Sequence, residues 1–70
     1  MTQAGQQLVT QPFQTGTNGL QTATTSVNTV GKYIGKIVYN LTDNKMYYAT
    51  GTAPTSPWKS FDSTNTITPV

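Results

Sequence analysis

The sequence predicts a mainly β protein, in which an extended N-terminal arm is followed by a small antiparallel β-hairpin or three-stranded module. Charged residues are only 9% of the chain and the net charge is +2, whereas disordered chains of low hydrophobicity usually carry a high net charge. The chain is rich in Thr, Val, Ile and Tyr, which favour extended backbone. Apolar and aromatic residues crowd around an obvious turn in residues 35–51, "GKIVYNLTDNKMYYATG".

The size of the chain predicts that oligomerisation completes the fold. Seventy residues with 34% hydrophobic content and no cysteine bury barely enough apolar surface to offset the conformational entropy lost on folding. A chain of this kind usually needs a cross-link or a partner. We therefore expect the fold to be completed by self-association into a homo-oligomer or by a larger partner.

Residues 1–31 are predicted to form an extended polar attachment arm with one or two short strands. Their apolar residues fit neither a helical stripe nor a long alternation, and Pro12, Gly16 and Gly19 interrupt any regular element. The most extended piece is expected at residues 21–30, "QTATTSVNTV", because β-branched residues suit a pleated surface. Such an arm can add a strand to a partner and insert side chains into its pockets. The candidate anchors are Leu8, Val9, Phe13 and Leu20.

Residues 32–62 are predicted to form the antiparallel module. Two strands are expected at 33–40 and 45–50, joined by a loop in which Asp43 and Asn44 bond nearby amides and tolerate left-handed dihedrals. "WKSF", residues 58–61, is expected to supply a third strand, with Trp58 and Phe61 covering a face of the hairpin. The tail, residues 63–70, is expected to be extended.

The aromatic residues of the module allow two interpretations. The first assigns Tyr39, Tyr48, Trp58 and Phe61 to the core or to a subunit interface, because a chain poor in Leu and Ile must bury aromatics to fold. The second has Tyr47 and Trp58 stacking on host glycans. Adjacent residues of a strand point to opposite faces, and we expect Tyr48, with Met46, on the covered face.

The composition excludes most catalytic chemistry. The chain has no His, Cys, Glu or Arg, so the usual nucleophiles and bases are missing. Asp43 is best explained as a turn residue and Asp62 as a solvated loop residue, and two isolated carboxylates provide too few ligands for a metal. We predict a non-enzymatic protein without a cofactor or a metal.

Nucleic acid and membrane are also not expected as partners. Four scattered lysines without arginine neutralise phosphates poorly and make no bidentate contacts to guanine. No stretch approaches the roughly 20 apolar residues of a membrane span, and the N-terminus does not resemble a secretory signal.

Residues 35–59, "GKIVYNLTDNKMYYATGTAPTSPWK", resemble a short module that recurs in phage fibres and other virion proteins. Its outline is a glycine, an apolar pair, an aromatic or polar residue, a "TDN"-like turn followed by lysine, an aromatic run, a glycine and a tryptophan. The corresponding positions are Gly35, Ile37, Val38, Tyr39, Thr42, Asp43, Asn44, Lys45, Tyr47, Tyr48, Gly51 and Trp58.

This resemblance implies a structural role in a bacteriophage virion, assembled in the host cytoplasm, often as a homotrimer. The length suits a small head-fibre, capsid-decoration or appendage-attachment protein better than a full fibre. Its partners would be copies of itself and other virion proteins such as the capsid or portal. The alternative is a carbohydrate- or receptor-binding module of a tail fibre or adhesin.

Overall fold

The structure is a computed structural model that describes residues 13–70, and it is mainly β. One mixed sheet has five strands. Two short helices lie between its first and second strands in the chain. The elements in chain order are β1 (Phe13–Thr15), α1 (Thr17–Gln21), α2 (Ser26–Thr29), β2 (Ile37–Asn40), β3 (Lys45–Ala49), β4 (Trp58–Ser60) and β5 (Thr66–Ile67).

The strands lie in the order β1-β2-β3-β4-β5, so that β3 is central. β1 pairs with β2 in parallel, with Phe13 opposite Val38, while the other three pairs are antiparallel. The predicted antiparallel module is therefore present as β2, β3 and β4. A parallel pair requires a crossover connection, and α1, α2 and the segment before β2 form it.

The core lies between the two helices and one face of the sheet. Because side chains alternate along a strand, the buried residues of the strands fall on this covered face. Leu20 of α1 and Val27 of α2 cover it, and both are buried. Together they form one hydrophobic cluster with Val38, Tyr47, Ala49, Trp58 and Ile67.

The loop between β2 and β3 has the predicted chemistry. Asp43 accepts a hydrogen bond from the backbone N–H of Lys45 at 3.1 Å, and Asn44 has a φ of 59°. The N–H of Asn44 closes the loop by donating to the carbonyl of Asn40 at 2.8 Å. Asn and Asp tolerate this left-handed conformation because their short side chains bond locally.

Asn28 of α2 connects the two helices to each other and to the sheet. Its buried amide nitrogen donates to the carbonyls of Leu20 at 2.9 Å and of Thr22 at 3.0 Å, which lie at the end of α1. Its Oδ1 accepts from Trp58 Nε1 at 2.8 Å and from Lys32 Nζ at 2.9 Å. One side chain thus pairs buried polar groups of three segments.

Lys32 is a nearly buried cation that is held by neutral groups. Besides Asn28, its Nζ donates to the carbonyl of Ser56 at 2.7 Å, and it lies 4.9 Å from the ring centroid of Trp58. The carbonyl and the ring face both stabilise a positive charge. Burial nevertheless lowers the pKa of Lys32, because removal from water disfavours the charged form.

A second polar network fixes the loop after β4. The hydroxyl of Tyr47 donates to Asp43 and accepts from Asn65 Nδ2 at 2.8 Å. Asp62 accepts from the hydroxyl of Ser60 at 2.7 Å and lies 3.3 Å from Lys45 Nζ. These contacts tie the turn after β2 to the segment that leads into β5.

The structure corrects the extended arm over its described part. Residues 13–31 contain one short strand, β1, as the prediction allows, but also the helices α1 and α2, which it does not; residues 1–12 lie outside the described residues. The prediction of an extended piece at 21–30 is wrong, because the Thr25 hydroxyl and the Asn28 amide bond nearby carbonyls and replace a partner strand. Such local bonds favour turns and helix ends over strands.

The tail is also more ordered than predicted. It contains β5, and Ile67 and Pro69 are buried. The backbone of Val70 bonds to α1 and the turn after it, since its N–H donates to Gln21 at 2.9 Å and its carbonyl accepts from Ala23 at 3.0 Å. The sheet therefore extends beyond the predicted module by β5 at this edge, in addition to β1 at the other.

Candidate interaction surface

The sheet face opposite the helices carries mainly apolar and aromatic side chains, which are exposed or half-buried. We call it the open face. Strand alternation and register assign its members, and Phe61 joins them because its N–H bonds the carbonyl of Met46 and its ring contacts Tyr48. The open face consists of Ile37, Tyr39, Met46, Tyr48, Lys59 and Phe61.

The open face has two rows across the strands. In the first row, Tyr48 lies between Ile37 and Lys59. In the second row, Met46 lies between Tyr39 and Phe61. Polar residues continue the rows outward, with Thr66 paired to Lys59 and Gln14 paired to Tyr39, so that an apolar centre has a polar rim. Protein interfaces commonly have this arrangement.

Exposure distinguishes this face from the core. Ile37 is 43% exposed and Phe61 is 55% exposed, while Tyr39, Met46 and Tyr48 are half-buried. The rings of Tyr48 and Phe61 meet edge to face with centroids 5.8 Å apart, a favourable geometry for aromatic pairs. Of the six residues, Lys59 alone is charged, so the face suits a largely apolar partner.

A smaller apolar segment lies just before β2. Val30, Tyr33 and Ile34 are 67%, 59% and 70% exposed. Gly31 and Gly35 flank the last two with φ of +65° and +85°, values that other L-residues seldom adopt. These turns hold three apolar side chains in water, which indicates a second contact region.

Among the predicted core or interface aromatics, Trp58 is fully buried. It does not fold back over the hairpin, because it lies within β4 with its side chain under the helices. Tyr39, Tyr48 and Phe61 belong to the open face instead. The expectation that Tyr48 shares the covered face with Met46 is wrong: Tyr47 is buried there, since its hydroxyl is satisfied by Asp43 and Asn65.

The same burial removes the residues proposed for glycan stacking. Tyr47 and Trp58 both have 0% exposure, so neither presents a ring face to a sugar. Their polar atoms are also occupied, the hydroxyl by Asp43 and Asn65 and the indole nitrogen by Asn28. This prediction is therefore corrected.

The predicted arm anchors divide into three groups. Leu20 is buried in the core, so it is not free to bind a partner. Phe13 is 49% exposed on the edge strand β1. Leu8 and Val9 lie outside the described residues.

Both carboxylates have structural roles in the described fold. Asp43 accepts hydrogen bonds from the backbone N–H of Lys45 in the turn and from the hydroxyl of Tyr47. Asp62 accepts hydrogen bonds from Thr64 and Ser60, which lower its pKa. Residues 13–70 contain no group of three or more side chains that could hold a metal ion. Within the same range no helix is long and apolar enough to cross a membrane.

Comparisons with known proteins add no relative. No family model matches the sequence, and neither the curated proteins nor the solved structures include a match. The resemblance of residues 35–59 to the phage-fibre module therefore stays a prediction.

Proposed function

We propose that this chain is a non-enzymatic structural protein of a bacteriophage virion, as a small head-fibre, decoration or appendage-attachment component. It binds copies of itself, as a trimer, and other virion proteins such as the capsid or portal. The open face is the observation that carries the proposal. Large apolar patches on small soluble proteins usually mark interaction sites.

The composition of the surface supports a protein partner. A face with aromatic and Met side chains at its centre and polar residues at its rim has the anatomy of a protein interface. The exposed segment with Val30, Tyr33 and Ile34 supplies further apolar surface close to the start of β2. Together the two regions offer the additional burial that a chain of this size and hydrophobic content needs.

The attachment role now rests on a shorter segment than the sequence predicted. Leu20 is excluded because it is in the core. Phe13 remains a candidate because it is half exposed on the edge of the sheet, where an added strand from a partner could pair. Leu8 and Val9 remain candidate anchors from the sequence.

The test is incorporation into particles of the phage whose genome encodes this chain. We expect mass spectrometry of purified particles to detect the chain. The variant Phe61→Lys, which places a charge on the open face, should be incorporated much less, while the exposed control Thr52→Lys should be incorporated normally. Absence of the wild-type chain from purified particles would refute the virion role.

The trimer has its own test. Native mass spectrometry of the purified chain should show three copies, and Phe61→Lys should shift the distribution to one copy. A wild-type monomer that persists at high concentration would contradict self-assembly and would leave attachment to other virion proteins to the particle experiment.

A further inference from the structure

The exposed segment before β2 is fixed to one end of the sheet. The N–H of Lys36 donates to the carbonyl of Tyr33 at 3.0 Å and closes a β-turn that contains Ile34. Gly35 occupies the third position of this turn with a φ of +85°, where a positive φ favours glycine. The N–H of Gly35 donates to the carbonyl of Ala49 at 2.8 Å, at the end of β3. The segment is therefore held beside the open face but is separate from it.

The outer surface of this segment is uncharged and mainly apolar. Within residues 30–35, "VGKYIG", the one charged residue is Lys32. It is 8% exposed, and its Nζ is bound by Asn28 and by the carbonyl of Ser56. We call the exposed side chains that remain the apolar turn: Val30, Tyr33 and Ile34. A partner can cover them without removing a cation from water.

A trimer needs two different contact surfaces on each copy. A surface that binds the same surface of a second copy produces a two-fold dimer, whereas a closed ring forms when one surface binds a different surface of the next copy. The structure provides two such surfaces, the open face and the apolar turn.

The area of the open face also favours a ring over a pair. The face has two rows on three strands, a footprint of about 14 Å by 14 Å, so two open faces in contact would bury only about 400 Å² in total. Specific interfaces bury at least about 1,000 Å². The side chains of the apolar turn are 59% to 70% exposed and add roughly 300 Å². One contact of the turn with the face buries about 500 Å², and the three contacts of a ring bury about 1,500 Å².

We propose that the apolar turn of one copy packs on the open face of the next copy, with Ile34 against Tyr48, and that three such contacts close a ring. The inference rests on the trimer of the proposed function and specifies the contact within it. Because Lys32 is turned inward, it does not oppose Lys59, the one charge of the open face. A single contact is smaller than a stable interface, so dimers should be sparse and assembly should be cooperative.

Introduced cysteines test the contact, because the chain has no cysteine of its own. Under mild oxidation, Ile34→Cys and Tyr48→Cys should each stay unlinked alone, since neither position meets the same position of another copy. An equal mixture of the two variants should form disulfide-linked dimers with one chain of each kind, identified by intact mass. The double variant should form covalent trimers. Thr52→Cys replaces Ile34→Cys in the control mixture, which should give no mixed dimer.

Two outcomes would overturn the inference while the trimer stands. Tyr48→Cys dimers linked to themselves, without mixed dimers, would indicate a two-fold contact between open faces. Trimers in native mass spectrometry whose mixed variants stay unlinked would place the contact elsewhere. Phe61→Cys, at a more exposed position of the face, repeats the experiment if circular dichroism shows that Tyr48→Cys does not fold.

A substitution without cysteine gives a second readout. Ile34→Lys should raise the concentration at which half of the chains are assembled at least tenfold, while Thr52→Lys should leave it unchanged. Equal assembly of both variants would also overturn the inference. A wild-type chain that stays monomeric would refute the ring and the trimer together, and the virion role would still be decided by the particle experiment.

Discussion

The indole nitrogen of Trp58 donates a 2.8 Å hydrogen bond to Oδ1 of Asn28, and both side chains are buried. The bond joins α2 to β4, residues thirty positions apart in the chain. Asn28 also holds two carbonyls at the end of α1. A buried polar group must be paired to avoid a large desolvation cost, so this residue decides whether the helices can cover the sheet.

Replacement of this amide should be severely destabilising. Asn28→Ala leaves the indole N–H and the Leu20 carbonyl without their partner and removes one acceptor of the Lys32 ammonium, and each unpaired buried group costs about 1–3 kcal/mol. We expect the free energy of unfolding in urea to fall by about 3 kcal/mol or more. Asn18→Ala removes an exposed asparagine and should cost less than about 0.5 kcal/mol; an equal loss in both variants would contradict the role of Asn28.

Lys32 should make stability depend on alkaline pH. Its folded-state pKa is lowered below the ordinary 10.5, so the unfolded chain binds more protons in the window between the two values. The free energy of unfolding should therefore rise as pH increases through that window toward 10.5. In Lys32→Met this contribution is lost, and the wild-type-minus-variant difference should grow with pH in urea titrations. Val30→Met should give a difference that does not change with pH.

Tyr47 should contribute stability through its hydroxyl. Tyr47→Phe removes the bonds to Asp43 and Asn65, and we expect a loss of about 1–2 kcal/mol at neutral pH. Burial, with Asp43, raises the pKa of Tyr47 above the ordinary 10.0, so its stabilising effect should fall as pH rises above that value. The control Tyr39→Phe removes an exposed bond to Asn44. It should cost less than Tyr47→Phe, and the reverse order would contradict the burial of Tyr47.

Asp62 should determine part of the response to acid. Hydrogen bonds from Thr64 and Ser60 hold its pKa below the ordinary 3.8, so the stabilisation is present above that value and is lost as pH falls through the folded-state pKa. Asp62→Asn should flatten the decrease in unfolding free energy on the acid side. Circular dichroism melts at several pH values measure this loss of stability in acid. If the variant lost as much stability in acid as the wild type, other groups would be responsible for the acid sensitivity.

The hairpin could be predicted because its information is local. Asp43 and Asn44 determine the turn through bonds to amides one or two positions away, and the aromatic runs on either side indicate strands. The edge strands could not be predicted in the same way. β1 and β5 have three and two residues, and their pairing depends on distant partners such as Val38 and Trp58.

The two helices, and the choice of which side chains of the sheet are buried, could also not be predicted from the local sequence pattern. α1 and α2 have five and four residues, too short for a hydrophobic stripe, and β-branched residues favour strand over helix. The choice between Tyr47 and Tyr48 for the core depends on Asp43 and Asn65, which satisfy one hydroxyl in the buried position. A residue with a buried hydroxyl can be recognised only when its partners are known.

The two backbone bonds of Val70 to Gln21 and Ala23 have a consequence for the order of folding. They join residues more than forty positions apart in the sequence, and closing a long loop costs more chain entropy than closing a short one. The hairpin needs only local contacts and can form first, whereas the contacts between Val70 and the helical layer are expected to form late.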